Sequence, residues 1–144
     1  MRQLRAAVEI NAPPARVWAV CTDFRSFPSW NPFISSAEGP LVQGGRIDVT
    51  LRLWGWPVRL HPELTVVDEP AELRWLARAV GRGVFDVDRR FLLEPVGSTG
   101  CRFVQSESGS GLLAPLLMPL LRREILRGYQ RFGLALKLRV EQVG

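Results

Sequence analysis

Apolar and polar residues alternate through most of the first hundred positions. Leu4, Ala6, Val8 and Ile10 face one way and Arg5, Ala7 and Glu9 the other, the period of a half-buried strand. Asn11 is placed to cap a following helix, and Pro13-Pro14 suits its first turn. Val17, Trp18, Val20 and Cys21 give that helix a buried side, and it should end near Asp23. Phe24, Phe27 and Trp30 then recur every three residues, which predicts a second short helix or turn broken at Asn31-Pro32. Alternation resumes in Phe33–Glu38, and more strongly in Ile47–Leu53 and Val58–Val66, with Trp54-Gly55-Trp56-Pro57 as a hairpin turn. Leu73, Trp75 and Ala77 mark the inner side of the next strand, and two more run over Phe85–Glu94 and Thr99–Ser108 around Gly97. From Gly109-Ser110-Gly111 the period lengthens to that of a helix reaching about Glu141. Its expected buried stripe is Leu113, Leu117, Leu120, Leu121, Ile125, Tyr129, Phe132, Leu136 and Val140, with a kink or a short first segment at Pro119.

The predicted order is one strand, two short helices, about six strands and one long helix. Successive strands with segregated helices mean an α+β domain with an antiparallel sheet. The long helix is the only element large enough to cover that sheet, and a curved sheet around one helix leaves room for a cavity. A length of 144 residues suits a single domain over 1–144.

Composition narrows the chemistry. One histidine, His61, and two distant cysteines, Cys21 and Cys101, supply neither a usual zinc site nor a CxxC redox pair, so no metal is expected. Phosphate-binding GxxxxGK[ST] and dinucleotide-binding GxGxxG patterns are missing, and no cofactor is expected. The start lacks the apolar run of a signal peptide, and Leu112–Leu121 is short and interrupted by Pro115 and Pro119, so a cytoplasmic location is expected. Nineteen basic against fourteen acidic residues give a net charge of +5. The arginines are spread singly or in pairs, and the densest group, Arg122, Arg123, Arg127 and Arg131, has helical spacing. Solvated faces account for that pattern better than nucleic acid does. The pattern sets no oligomeric state.

Arg89 is the most informative position. It shares the parity of the apolar Phe85, Val87, Phe91 and Leu93, while Gln105 and Glu107 share that of Cys101 and Phe103. A turn centred on Gly97 sets Arg89 opposite Gln105 and diagonal to Glu107, within reach of long side chains. Such a polar patch on an apolar wall can orient a ligand carboxylate, carbonyl or phenol, groups that suit the guanidinium fork. Exposed strand ends, or a bulge exchanging Arg89 with Arg90, remain open alternatives. His61 has outward parity with Arg59, Glu63 and Thr65, and Asp86 and Asp88 share a solvent face, so no acid/base pair stands out. Trp54 and Trp56 flank a hairpin tip near Arg52 and Arg59, where they are candidates for contact with a membrane or a partner protein.

The chain resembles the START/Bet v 1-like (SRPBCC) superfamily, and within it the small bacterial polyketide cyclase/dehydrase-like proteins. The resemblance is carried by Ile10-Asn11-Ala12-Pro13-Pro14-Ala15-Arg16-Val17-Trp18, Thr22-Asp23, Trp30-Asn31-Pro32-Phe33 and Gly44-Gly45. It continues in Phe91-Leu92-Leu93-Glu94-Pro95, Phe103-Val104-Gln105-Ser106-Glu107 and Leu134-Ala135-Leu136-Lys137. The resemblance implies a helix-grip fold, a curved antiparallel sheet wrapped around the C-terminal helix, and a cavity for a small hydrophobic or amphipathic ligand such as a lipid, polyketide or aromatic compound. Arg89-Arg90 stands where relatives often carry a histidine or an apolar residue, so the resemblance does not name the ligand. Candidate ligand-binding residues are Arg89, Gln105 and Glu107 with Trp30, Phe33, Leu51, Trp75, Phe91, Phe103 and Tyr129. The alternatives are a cyclase/dehydratase-like enzyme using the polar cavity residues and a module that binds a partner protein.

Overall fold

The computed structural model describes residues 2–142. Strand β1 (Arg2–Ile10) leads into helix α1 (Pro14–Cys21), a 3₁₀ turn (Phe24–Ser26) and the single-turn helix α2 (Phe27–Trp30). Seven strands follow: β2 (Ile34–Glu38), β3 (Asp48–Leu53), β4 (Trp56–Leu60), β5 (Glu63–Asp68), β6 (Glu72–Arg78), β7 (Asp86–Val96) and β8 (Gly100–Ser110). Helix α3 (Ala114–Gln142) closes the fold. The α+β helix-grip architecture is as expected from the pattern and the resemblance.

Four details differ from the sequence reading. The run Val58–Val66 is two strands, because Pro62 has no amide proton to continue the ladder. The chain turns there from a three-stranded sheet, β2-β3-β4, into a five-stranded sheet ordered β1-β8-β7-β6-β5. Asn11 does not cap α1, since Pro13 occupies that position without a side-chain bond. Helix α3 starts only at Ala114 and continues unbroken through Pro119, so there is no separate first segment. Its stripe is also rotated at the N-terminal end. Ala114 and Met118 are buried there, whereas Leu120 is 64% exposed.

Helix α3 packs on β1, α1 and β8. Glycines set how closely. A Cβ on Gly128 would lie 2.3 Å from the Phe33 ring, so only glycine lets that ring rest on the helix. Asn31 aims Phe33 there, because its Oδ1 accepts the amides of Phe33 and Ile34 at 3.0 and 2.9 Å. Behind this contact Phe27, Phe91, Phe103 and Phe132 form an aromatic core with ring centroids 5.8–6.1 Å apart. Among the described residues no helix is long and apolar enough to cross a membrane.

Candidate functional site

A cavity of about 200 Å³ lies between the two sheets and α3. Sixteen residues line it, and fourteen of them are apolar, among them Phe33, Leu51, Trp75, Phe85 and Ile125. The two polar ones are Arg89 and Glu107. A larger groove of about 730 Å³ between the small sheet and the Phe24–Pro28 segment is open to solvent, and its His61 and Asp48 pair at 2.6 Å while both are exposed. A solvated pair of that kind is worth little. The smaller, apolar cavity, with its buried charges, is the stronger candidate site.

Arg89 is 2% exposed and Glu107 6%. They face each other as direct partners across β7 and β8. The turn between these strands spans three residues, Gly97–Thr99, so the register lies two residues from the one expected with Gly97 at its centre. Gln105 therefore stands opposite Phe91, and Arg89 reaches it diagonally. Arg89 Nη2 donates to Gln105 Oε1 at 2.8 Å, and Gln105 Nε2 donates to the Tyr129 carbonyl at 2.8 Å. Tyr129 Oη donates to Glu107 Oε1 at 2.7 Å. The chain Arg89–Gln105–Tyr129–Glu107 thus ties the sheet to α3.

Arg89 and Glu107 form no direct ion pair among the described residues. The guanidinium carbon instead lies 4.5–5.9 Å from the ring centroids of Tyr129, Phe91, Phe33, Trp75 and Phe132. Such a box offers cation–π attraction without cancelling the charge. Arg89 Nε is buried and has no hydrogen-bond partner. Burial disfavours every charge in the cluster. It lowers the pKa of Arg89, against the opposing pull of Tyr129 and Glu107. It raises that of Glu107 despite the nearby guanidinium and the tyrosine hydrogen bond. Tyr129 is pushed up as well, by burial and by the Glu107 carboxylate.

This architecture matches known proteins. A family model described as polyketide cyclase/dehydrase and lipid transport covers residues 1–141. The chain belongs to that family. Solved structures of the same fold include a START superfamily protein from Mycobacterium smegmatis, 18% identical with 99% of both chains covered and a TM-score of 0.79. A protein from Thermus thermophilus is 22% identical over 99% of both chains, with a TM-score of 0.77. The Zhui aromatase/cyclase from Streptomyces sp. R1128 is 14% identical, covering 98% of this chain and 94% of its own, also with a TM-score of 0.77. At such identities the likeness is one of fold. No functionally curated protein matches the chain.

Within this member of the polyketide cyclase/dehydrase and lipid transport family, the sequence candidates fall into three groups. Arg89, Glu107, Phe33, Leu51 and Trp75 line the cavity. Gln105, Phe91 and Tyr129 stand behind its wall, in contact with Arg89. Trp30 and Phe103 are not on the wall. Trp30 packs on Phe27 and Phe132 and bonds Ser26, and Phe103 is sealed in the aromatic core. Parity alone cannot separate a cavity wall from a packed core, since both face inward. The pattern also missed Gly128 and Asn31, which seat Phe33; the only sequence signals were a glycine inside a helical run and an Asn-Pro break. Cys21 and Cys101 are buried and their thiols are shifted upward, Cys101 to about 11, so neither is a ready nucleophile.

Proposed function

We propose that the chain binds a small apolar molecule carrying one oxygen acceptor, with its body against the apolar wall and its oxygen on Arg89. The observation that carries this reading is a cavity whose lining is apolar except for Glu107 and an arginine with an unpartnered Nε. A buried donor left unmet costs roughly 1–3 kcal/mol, and an acceptor from the ligand removes that cost. Size limits the class further. Sites for drug-sized ligands run to roughly 300–1,000 Å³, and a void of roughly 150 Å³ holds benzene. At about 200 Å³ the cavity suits a one-ring aromatic acid, ketone or phenol, or a short acyl chain. Native mass spectrometry of the protein isolated from its own host tests this directly. The expected result is a bound species of that size. An empty protein that also fails to bind a panel of substituted benzoates and phenols in titration calorimetry overturns the reading. Arg89→Met should weaken the acidic members of the panel most.

The state of Glu107 favours a second reading, a cyclase/dehydratase-type reaction. A carboxyl whose proton affinity is raised by burial, set across the ladder from a guanidinium, can donate a proton to an oxygen that the arginine polarises. Incubation with small β-hydroxy ketones separates the two: recovered unchanged, they support binding alone, and dehydration lost in Glu107→Gln supports the reaction.

A further inference from the structure

Three segments meet around the mouth of the cavity: the β3–β4 hairpin tip (52–56), the β6–β7 loop (79–84) and the first half of α3 with its lead-in (112–127). Leu53, Ala79, Leu121 and Ile125 from these segments line the cavity. The Trp54 amide donates to Glu124 on α3 at 2.6 Å, and the Leu112 amide donates to Gly83 at 3.0 Å, so the three form one surface.

That surface is unusual in three ways. First, it exposes large apolar side chains: Trp54 60%, Trp56 75%, Val80 62%, Leu112 81%, Leu116 62% and Leu120 64%. The rest of the described chain adds only Val42, Val96, Leu134 and Leu138. Leu116 and Leu120 lie one turn apart on the exposed face of α3, and Leu112 stands in the turn that leads into it. Second, the same segments hold Arg52, Arg82, Arg122, Arg123 and Arg127 against one acid, Glu124. Elsewhere the chain carries fourteen basic and thirteen acidic residues, so nearly all of the +5 charge sits at the mouth. Glu124 is itself occupied by the Trp54 amide and by Arg127 at 3.6 Å. Third, Trp54 holds φ +51° beside Gly55 at φ +80°. A two-residue hairpin turn of this kind favours Asn-Gly, and a bulky residue with positive φ is strained. The chain keeps an exposed indole where a smaller residue is easier to accommodate.

We infer that this rim docks on an anionic lipid surface, with Trp54, Trp56 and the exposed leucines in the interface and the arginines at the phosphate level. Tryptophan favours the membrane interface, and basic residues around an apolar patch are drawn to negatively charged leaflets. A protein partner with an acidic, apolar face is the competing occupant, but five arginines against one already engaged acid, beside exposed indoles, fit a lipid interface. The inference rests on the rim and not on what the cavity holds.

Sedimentation with vesicles tests it, using phosphatidylcholine alone and phosphatidylcholine containing about one-third phosphatidylglycerol. The intact chain should bind only the anionic vesicles, with a blue-shifted tryptophan emission, and release them at high salt. Trp54→Asn with Trp56→Ser should lower the partition about tenfold while the fold persists, because asparagine suits the turn. Arg122→Gln with Arg123→Gln should cost about fivefold per arginine at low salt. Arg89→Met should bind vesicles as the unaltered chain does, which separates this surface from the cavity. Failure to bind anionic vesicles, binding that ignores both rim variants, or a stable dimer in sedimentation equilibrium that the tryptophan variant dissolves would each overturn it.

Discussion

Arg89 and Arg90 are neighbours on β7, yet their surroundings are opposite. Outside, Arg90 donates through Nε to Glu72 at 2.7 Å, and Arg74 grips Asp88 with two bonds of 2.9 and 2.7 Å. These pairs are partly solvated. Inside, Arg89 has an amide, five rings and an unmet Nε, and the carboxylate across the ladder bonds Tyr129 instead. Water shares the cost of charge on the outer face, whereas on the inner face only protein groups can. The outer arginines are thus paired with carboxylates and the inner one is not, which supports the acceptor-binding role proposed for it.

The contrast can be broken most sharply at Gln105. Gln105→Leu removes the only side-chain hydrogen-bond partner of the inner arginine among the described residues and takes the amide off the Tyr129 carbonyl, and should cost about 3 kcal/mol in urea unfolding. A loss below that of an outer pair would mean that Arg89 is not held as described. The next effect is on pH. The native pKa of Glu107 lies above its ordinary value of 4.5, so the folded chain holds that proton more tightly than the unfolded one. The contribution is therefore fully present below 4.5 and is lost as pH rises through the native value, by up to about 1.4 kcal/mol per pH unit. Glu107→Gln should flatten that slope relative to the unaltered chain, as read from unfolding curves across the acid range.

Arg89→Met exchanges a buried ion for an apolar side chain of similar length. It also leaves Gln105 Oε1 without its donor and Glu107 without the opposing charge, so thermal unfolding of the empty protein should show a loss of about 1 kcal/mol, beside its loss of affinity for acidic ligands. The smallest effect belongs to the outer face. Glu72→Gln should cost about 0.5 kcal/mol and shrink further in high salt, because its partner keeps water.

Much of this contrast is legible in the residue pattern. Parity along Phe85–Leu93 points Arg89 inward, because a strand has only two faces and its four apolar neighbours share one. The same counting puts His61 outside, and the structure agrees. Element order and motifs are enough for the helix-grip fold. Parity cannot supply depth. Phe103 and Trp75 share inward parity, but one is core and the other is cavity wall.

The sequence by itself thus determined the elements, the side of the sheet on which each residue lies and the family. The first two follow from periodicity and local turn chemistry, which act over a few residues, and the family from the motifs that carry the resemblance. Only the tertiary structure decided the rest. A three-residue turn set the register that faces Arg89 with Glu107, and Gly128 and Asn31 seated Phe33 over the guanidinium. The packing of α3 buried Met118 and left Leu120 in solvent. Each of these depends on groups far apart in the chain, and their energies exist only once burial has removed the water between them.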